Sequence, residues 1–236
     1  MKKHLKRLAA PRSWTLSRKE YVWSYKPRPG PHPAESAVPL AVALREMLRV
    51  AGNAREAERL VFSRSVLVDG RVVSDPKFPV GLMDILTLGK SKESFRMLLD
   101  ARGKLTLLPV ESGEAAWKLC RVRGKSTVRG GKFQVQLHDG RTILLPKSEY
   151  ATGTTLKLAL PEQKVLGALP LVEGNIALLT GGQHAGELAH VLRVEKTRNP
   201  RANVVHFQEG FSTIVDYVFV VGAQTPEIRV PEGQAV

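Results

Sequence analysis

The sequence predicts an α+β fold that is mainly β: an extended basic N-terminal arm, a small module of two helices plus strands, a central β domain, and a small C-terminal β-barrel. Three observations predict it. Apolar residues recur at helical spacing only between Val38 and Val61. From there to Val221 the chain is filled by short apolar or alternating runs, separated by Gly-containing turns. The first 33 residues concentrate cations and prolines and hold few aliphatic side chains.

Thirty-six Lys and Arg against 22 Asp and Glu give a formal charge of +14 over 236 residues. That balance suits a polyanionic partner, nucleic acid first, and is too basic for a typical small-molecule enzyme. With 43% hydrophobic residues the chain can build packed cores. Cys120 is the single cysteine, which excludes an internal disulfide framework and a cysteine-rich zinc module. The opening MKKHLKRL is followed by Pro11 before the ~7 to 15 apolar residues of a secretory signal could fit. Nothing approaches the ~18 consecutive apolar residues that span a bilayer, so a soluble chain without a membrane partner is expected, in a reducing cytoplasm.

Residues 1–37 form the arm. Within residues 1–33, Lys2, Lys3, Lys6, Arg7, Arg12, Arg18, Lys19, Lys26 and Arg28 stand against Glu20 alone, so more than half of the net charge sits in that stretch. Pro11, Pro27, Pro29, Pro31 and Pro33 prevent a long helix, while Trp14, Tyr21, Trp23 and Tyr25 are interleaved with the cations. Basic residues that contact phosphates, beside aromatic rings that stack on unpaired bases, suit RNA; a disordered charged tail is the plain alternative.

Residues 38–90 read as two helices followed by short strands. Leu40, Leu44, Met47, Leu48 and Ala51 line one face of the first helix, which Gly52 ends; Asn53 with Glu56 makes a capping box for the second, whose stripe is Ala54, Ala57, Leu60 and Val61. Val66–Val68 and Val72–Val73 flank Asp69-Gly70-Arg71, where Asp-Gly supplies the positive φ angles of a tight hairpin, and Met83–Leu88 closes the unit. Arg45 with Arg49, and Arg55 with Arg59, are four apart and share a face; with Arg64 and Arg71 they build a basic ledge for RNA. Glu46, Glu56 and Glu58 are near enough to pair with them and make an ordinary solvated surface instead.

Residues 91–168 read mainly as strands, at 104–110, 118–123, 133–137 and 142–145, with a second Asp-Gly turn at His138-Asp139-Gly140-Arg141. Arg121, Arg123, Lys125, Arg129 and Lys132 lie among Gly124, Gly130 and Gly131 without an acid, a flexible basic loop that could follow a phosphate backbone or be simply solvated. Arg141 is a further RNA candidate. Residues 169–223 hold strands at 175–179, 188–194, 204–207 and 217–221, which fit a small barrel. A Gly-rich turn, 181–186, follows the first of them, and a basic turn with Arg198 and Arg201 follows the second; 224–236 is a flexible tail.

Catalytic and metal signatures fail. Gly124-Lys125-Ser126 would need glycine at Leu119 to end a phosphate-binding loop, and Gly89-Lys90-Ser91 would need it at Asp84. His184 and His190 have no companion at zinc spacing, and no nucleophile elbow or singled-out carboxylate pair appears. No catalytic residue, metal, cofactor or small-molecule substrate is expected.

The order of short strings along the chain resembles the e-type family of small-subunit ribosomal protein four. Lys3-His4-Leu5-Lys6-Arg7, Ala10-Pro11, Trp14, Arg28-Pro29-Gly30-Pro31-His32, Glu35-Ser36 and Pro39-Leu40 are similar to its amino terminus. Val68-Asp69-Gly70-Arg71, Asp75 and Pro79-Val80-Gly81-Leu82-Met83-Asp84 are similar to an RNA-binding module shared by ribosomal and RNA-modifying proteins. Phe95-Arg96, Asp100, Lys118-Leu119-Cys120 and His138-Asp139-Gly140-Arg141-Thr142 resemble its central domain. Gly174-Asn175, Thr180-Gly181-Gly182 and Ala185-Gly186 resemble a Gly-containing SH3-like barrel. The chain departs from the family at Ala185, Glu187 and Ala189, where more basic residues are usual, and in 209–214, which lacks an arginine. Its end soon after Val221-Gly222 suggests an archaeal-type member.

The resemblance implies a structural component of the small ribosomal subunit on cytoplasmic ribosomes. It would bind small-subunit rRNA beside neighbouring ribosomal proteins, have no catalytic activity, and be monomeric off the ribosome. Two other classes use similar modules. A uridine-isomerising enzyme would carry a Gly-Arg-Leu-Asp loop, but Gly140-Arg141 runs into Thr142-Ile143; a transcription elongation factor would share only the barrel.

Overall fold

A computed structural model describes residues 4–89, 91–197, 199 and 202–231. The chain forms two compact units: residues 1–98, 104–118 and 160–162 make the first, and 99–103, 119–159 and 163–236 the second. Every strand pairing with a determined register is antiparallel.

In the first unit β1 (Leu5–Lys6) pairs with β2 (Trp23–Ser24). This corrects the expectation of an extended arm. Trp14 is 2% exposed and Arg7 1%, and the Ser13 carbonyl accepts a hydrogen bond from the Leu105 N–H at 2.7 Å, so the segment is folded against its own unit. Burying the large Trp14 indole outweighs the conformational freedom that the prolines already limit, and the Arg7 guanidinium, costly to desolvate, is held by Glu46 at 2.8 Å.

β3 (Ala37–Pro39) leads into helix α1, whose α-type turn Leu40–Val42 continues as a π-type turn, Ala43–Met47. The N–H groups of Leu40 and Ala41, orphaned at a helix start, donate to the carbonyls of Phe78 and Pro76 at 2.8 and 2.9 Å. The helix is shorter than its apolar stripe predicts. Arg49 has turned to φ 55°, so Arg45 and Arg49 do not share a helical face. Helix α2 (Ala54–Phe62) begins as expected: the Asn53 side chain accepts from the Glu56 N–H at 3.0 Å, and Glu56 accepts from the Gly52 N–H at 2.7 Å.

β4 (Val66–Val68) and β5 (Arg71–Val72) form the hairpin, with Asp69 at φ 51° and Gly70 at φ 75° as the two turn residues. β6 (Pro79–Gly81) pairs with β3, and β7 (Ile85–Leu88) with β4. The sheet does not stop there. β8 (Glu93–Leu99), which the sequence does not predict as a strand, and β9 (Leu105–Val110), predicted as a strand of the central segment, extend it to the order β5-β4-β7-β8-β9.

The core of this unit holds charge. Lys118 is 0% exposed, and its ammonium donates to Asp69 Oδ2 at 2.7 Å and Asp84 Oδ1 at 2.8 Å. Asp69 also accepts from the Ile85 N–H at 2.9 Å, and Asp84 from the Gly81 N–H at 2.9 Å. His32 Nε2 lies 3.0 Å from Asp84, and its ring packs so closely on Gly81 that a Cβ there would meet ring atoms at 2.3 Å. Glycine is required at 81 for that approach. Burial alone would raise the Asp84 pKa, but His32 and Lys118, with the hydrogen bonds from His32 and Gly81, hold it well below the usual carboxylate range.

The second unit starts along β10 (Trp117–Thr127), which is flanked by β11 (Phe133–Leu137), β12 (Thr142–Leu145), β13 (Thr155–Ala159) and β14 (Val165–Leu169) in the order β12-β11-β10-β13-β14. Its core is Cys120, Val122, Val135, Leu137, Leu156 and Leu158. β15 (Ile176–Leu179), β16 (Leu188–Glu195), β17 (Val204–Phe207), β18 (Ser212–Ile214) and β19 (Val218–Gly222) form a second sheet, in the order β18-β17-β16-β15-β19. An irregular register between Val191 and Arg193 in β16 lets this sheet curl into a half-barrel over Ala177, Leu179, Ala189, Val191, Val205, Phe207 and Val218.

Lys118→Met strands two buried carboxylates and is expected to destabilise the first unit by about 3 to 5 kcal/mol, read from denaturant unfolding followed by tryptophan emission. Unchanged stability would show the pair to be dispensable. Because the folded-state pKa of Asp84 is depressed, its contribution is whole above the ordinary value of 3.8 and is lost progressively as the pH falls from there toward the folded-state value; near-UV circular dichroism across an acid titration checks this.

Candidate nucleic-acid interface

The predicted RNA-binding residues divide by what the fold does with each cation. On α2, Arg55 and Arg59 are exposed on one face, Arg64 follows at φ 56°, and Arg71 projects from β5. The three glutamates that could have neutralised them are engaged elsewhere. Glu46 Oε1 takes Arg7 Nη2 at 2.8 Å and Arg45 Nη2 at 2.6 Å, Glu56 caps α2, and Glu58 accepts from the Tyr25 hydroxyl at 2.8 Å. Burial, that hydrogen bond and the Glu58 charge push the Tyr25 hydroxyl pKa up to about 12. Among the described residues no ion pair joins Arg49, Arg55, Arg59, Arg64 or Arg71 to an acid. Arg45, by contrast, is half-buried.

In the N-terminal segment Lys6, Arg12 and Lys19 are exposed, and Arg28 is exposed but paired with Asp75 at 2.8 Å. Three other residues expected to meet RNA are engaged by the fold. Arg7 is buried against Glu46 with its guanidinium 5.2 Å from the Tyr21 ring centroid; Trp14 is buried, with Nε1 donating to the Ala34 carbonyl at 3.3 Å. Arg18 is half-buried and donates to the carbonyls of Ala10 and Pro11, both at 2.7 Å. Their polar groups serve the fold, because folding the segment orphans carbonyls and a carboxylate that need donors. Lys26 is half-buried. Lys2, Lys3, Arg198 and Arg201 lie outside the described residues.

In the second unit Arg123, Lys125, Arg129 and Lys132 are exposed along β10 and its turn, and Lys125 donates to the Ser148 hydroxyl at 2.9 Å. Arg121 is different. Its Nη1 donates to the carbonyls of Val215, Asp216 and Val218 at 3.2, 2.5 and 3.0 Å, and burial lowers its pKa against the opposing pull of Asp216. Arg141 is half-buried with Nε 3.1 Å from Asp139. Both are engaged by the chain itself. Lys196, in the basic turn that the sequence predicts, and Arg193, which no sequence pattern marks, are exposed; the register shift at 191–193 is not readable from alternation.

Fold also assembles one group that spacing hid: ligand-type atoms of Cys120, His138 and Asp139 lie within 4.8 Å of one another. They are engaged by the chain itself. Cys120 Sγ lies 3.5 Å from Asp139 Oδ2, His138 Nδ1 accepts from the Arg121 N–H at 3.2 Å, and Asp139 carries the Arg141 pair. This network secures the 138–141 turn. In the Gly-rich turn, His184 stacks on Phe211 at 4.2 Å and binds Glu187 at 2.8 Å, leaving no concentration of cations there.

Known proteins share this arrangement. The RS4NT (NUC023) domain matches residues 1–35, the S4 domain residues 38–86, and Ribosomal family S4e residues 91–165. The small ribosomal subunit protein eS4 of Methanothermobacter thermautotrophicus is 41% identical, over 99% of this chain and 98% of its own length. That of Methanocaldococcus jannaschii is 40% identical over 97% of each. The crystal structure of the 30S ribosomal protein S4e from Thermoplasma acidophilum superposes with a TM-score of 0.72 at 34% identity, covering 80% of this chain and 96% of that one.

Replacing Arg55 and Arg59 together by Ala is expected to leave the melting temperature unchanged, because both are exposed. The slope of log affinity for RNA against log salt should become shallower by about 1.8 on duplex RNA, taking the B-DNA coefficient as a guide. Filter binding at several salt concentrations measures it. Arg121→Met should behave oppositely, with the melting temperature lowered and the salt slope kept.

Proposed function

Because the chain belongs to the ribosomal family S4e, we propose that its exposed cations hold rRNA while the buried ones hold the protein in the shape that presents them. It is a non-enzymatic structural protein of the small ribosomal subunit, with an S4 RNA-binding domain, and works on the cytoplasmic ribosome. The observation that carries the proposal is the set of exposed arginines Arg49, Arg55, Arg59, Arg64 and Arg71, none of which forms an ion pair among the described residues.

We read the modules as the N-terminal segment 1–37, the two-helix module 38–90, the central β segment 91–168, the half-barrel 169–223 as an SH3-like fold, and the tail 224–236. Arg123, Lys125, Arg129 and Lys132 form a second basic surface, within the second unit. Lys6, Arg12, Lys19 and Arg28 add to the first, and Lys2, Lys3, Lys26, Arg198 and Arg201 supply further positive charge. Phosphate neutralisation at these sites gives affinity, and the rigid units give register, so specificity comes from RNA shape. Neighbouring ribosomal proteins cover part of the remaining surface, and the free protein is a monomer.

Sedimentation of a cell extract through sucrose at low and moderate salt tests this reading. The protein is expected to migrate stoichiometrically with the small subunit at both. Release from the subunit at moderate salt, or substoichiometric migration, would contradict a structural role.

A further inference from the structure

An open groove of about 1100 Å3 in the first unit is lined by Tyr21, Val22 and Trp23 together with Arg45 and Arg49. The three consecutive large side chains are 59, 64 and 56% exposed. A contiguous apolar patch of this kind marks a binding surface. The Tyr21 ring already carries cations, with the guanidinium carbons of Arg7 and Arg45 at 5.2 and 5.9 Å from its centroid, and it still has surface for another stacking partner. The neighbouring charges favour an anion. Arg7, Arg45, Arg49 and Lys104 stand against Glu20 and Glu46, and Glu46 is held by both Arg7 and Arg45.

A second observation is independent of exposure. Arg49 sits at φ 55°, a left-handed conformation that crowds any Cβ and that helix ends usually give to glycine. Arg49 enters no ion pair among the described residues, so its charge does not serve the fold. A cation kept at a strained backbone position beside open aromatic rings indicates a function that glycine could not supply.

We infer that this groove binds an unpaired stretch of RNA, with bases stacked on Tyr21 and Trp23 and a backbone phosphate on Arg49. The inference rests on the ribosomal reading and names the kind of RNA this face takes. Bases in a duplex are already stacked and cannot reach the rings, so the groove selects single strands.

Tryptophan emission reports the site, since Trp14 is buried and Trp117 is covered by the Arg96 guanidinium at 4.7 Å, leaving Trp23 as the open indole. The full-length protein is titrated with a single-stranded oligoadenylate and with a duplex RNA carrying the same number of phosphates. Saturable quenching by the single strand alone is expected. Tyr21→Leu should weaken that binding about tenfold with an unchanged circular dichroism spectrum. Arg49→Gly should weaken binding and reduce the salt slope by about 0.7, yet raise the melting temperature by about 2 to 4 °C as backbone strain is relieved. Loss of binding with gain of stability separates contact from structural support.

Equal quenching by the duplex, or unaltered binding in both variants, overturns the inference. Emission that ignores RNA but shifts on adding total small-subunit protein assigns the groove to a protein partner and overturns it too. Sedimentation keeps the premise separate: a chain that migrates with the subunit but is not quenched loses the groove and keeps the ribosomal assignment.

Discussion

The buried Lys118 ammonium, held between Asp69 and Asp84, is the constraint on which the first unit depends. Four distant parts of the chain meet there: His32 from the N-terminal segment, Asp69 from the hairpin turn, Asp84 from the start of β7, and Lys118 from the start of β10. A buried ion set of this kind is weak evidence for net stability, because desolvation opposes the Coulomb gain. Its consequence is register. Each carboxylate also accepts a backbone N–H, from Ile85 and Gly81, so the ammonium is satisfied only when hairpin, turn and strand are all in place.

The same economy of charge organises the surface. A protein that binds a polyanion must carry cations, and this one uses several of them internally before presenting the rest. Arg7 reaches Glu46, Arg18 donates to carbonyls in the folded N-terminal segment, Arg96 to those of Glu114 and Trp117, and Arg121 to three carbonyls leading into β19, those of Val215, Asp216 and Val218. An arginine can bridge several acceptors with one planar fork, which suits it to closing irregular backbone that no sheet pairs. Glu46, Glu56 and Glu58 are held by Arg7 and Arg45, the Asn53 cap and Tyr25, and among the described residues none of them forms an ion pair with Arg55 or Arg59 of α2.

Much of this was legible along the chain. The Asp69-Gly70 hairpin, the Asn53 cap and the strands at 133–137 and 142–145 follow from local rules, and the structure has them at those residues. Where a local rule met a longer-range one, it yielded. The apolar stripe of α1 runs on to Ala51, but the helix ends before Arg49; β14 (VLGAL) lacks a clean alternation, and the five-residue alternation of β13 (TLKLA) is too short to stand out from the turns around it. Family membership was legible because it rests on the collinear order of many short strings, which needs no knowledge of contacts.

Sequence by itself determined the mainly β class, the two short helices, the turn chemistry and the excess of positive charge, since each depends on residues within a few positions of one another or on composition. Only the tertiary structure decided which cations are available. Lys118 and Asp69 are 49 residues apart, Arg7 and Glu46 are 39 apart, and Arg121 and Val218 are 97 apart. Whether a side chain meets phosphate or an internal acid is set by the free energy of bringing such distant groups together, and no spacing along the chain records that.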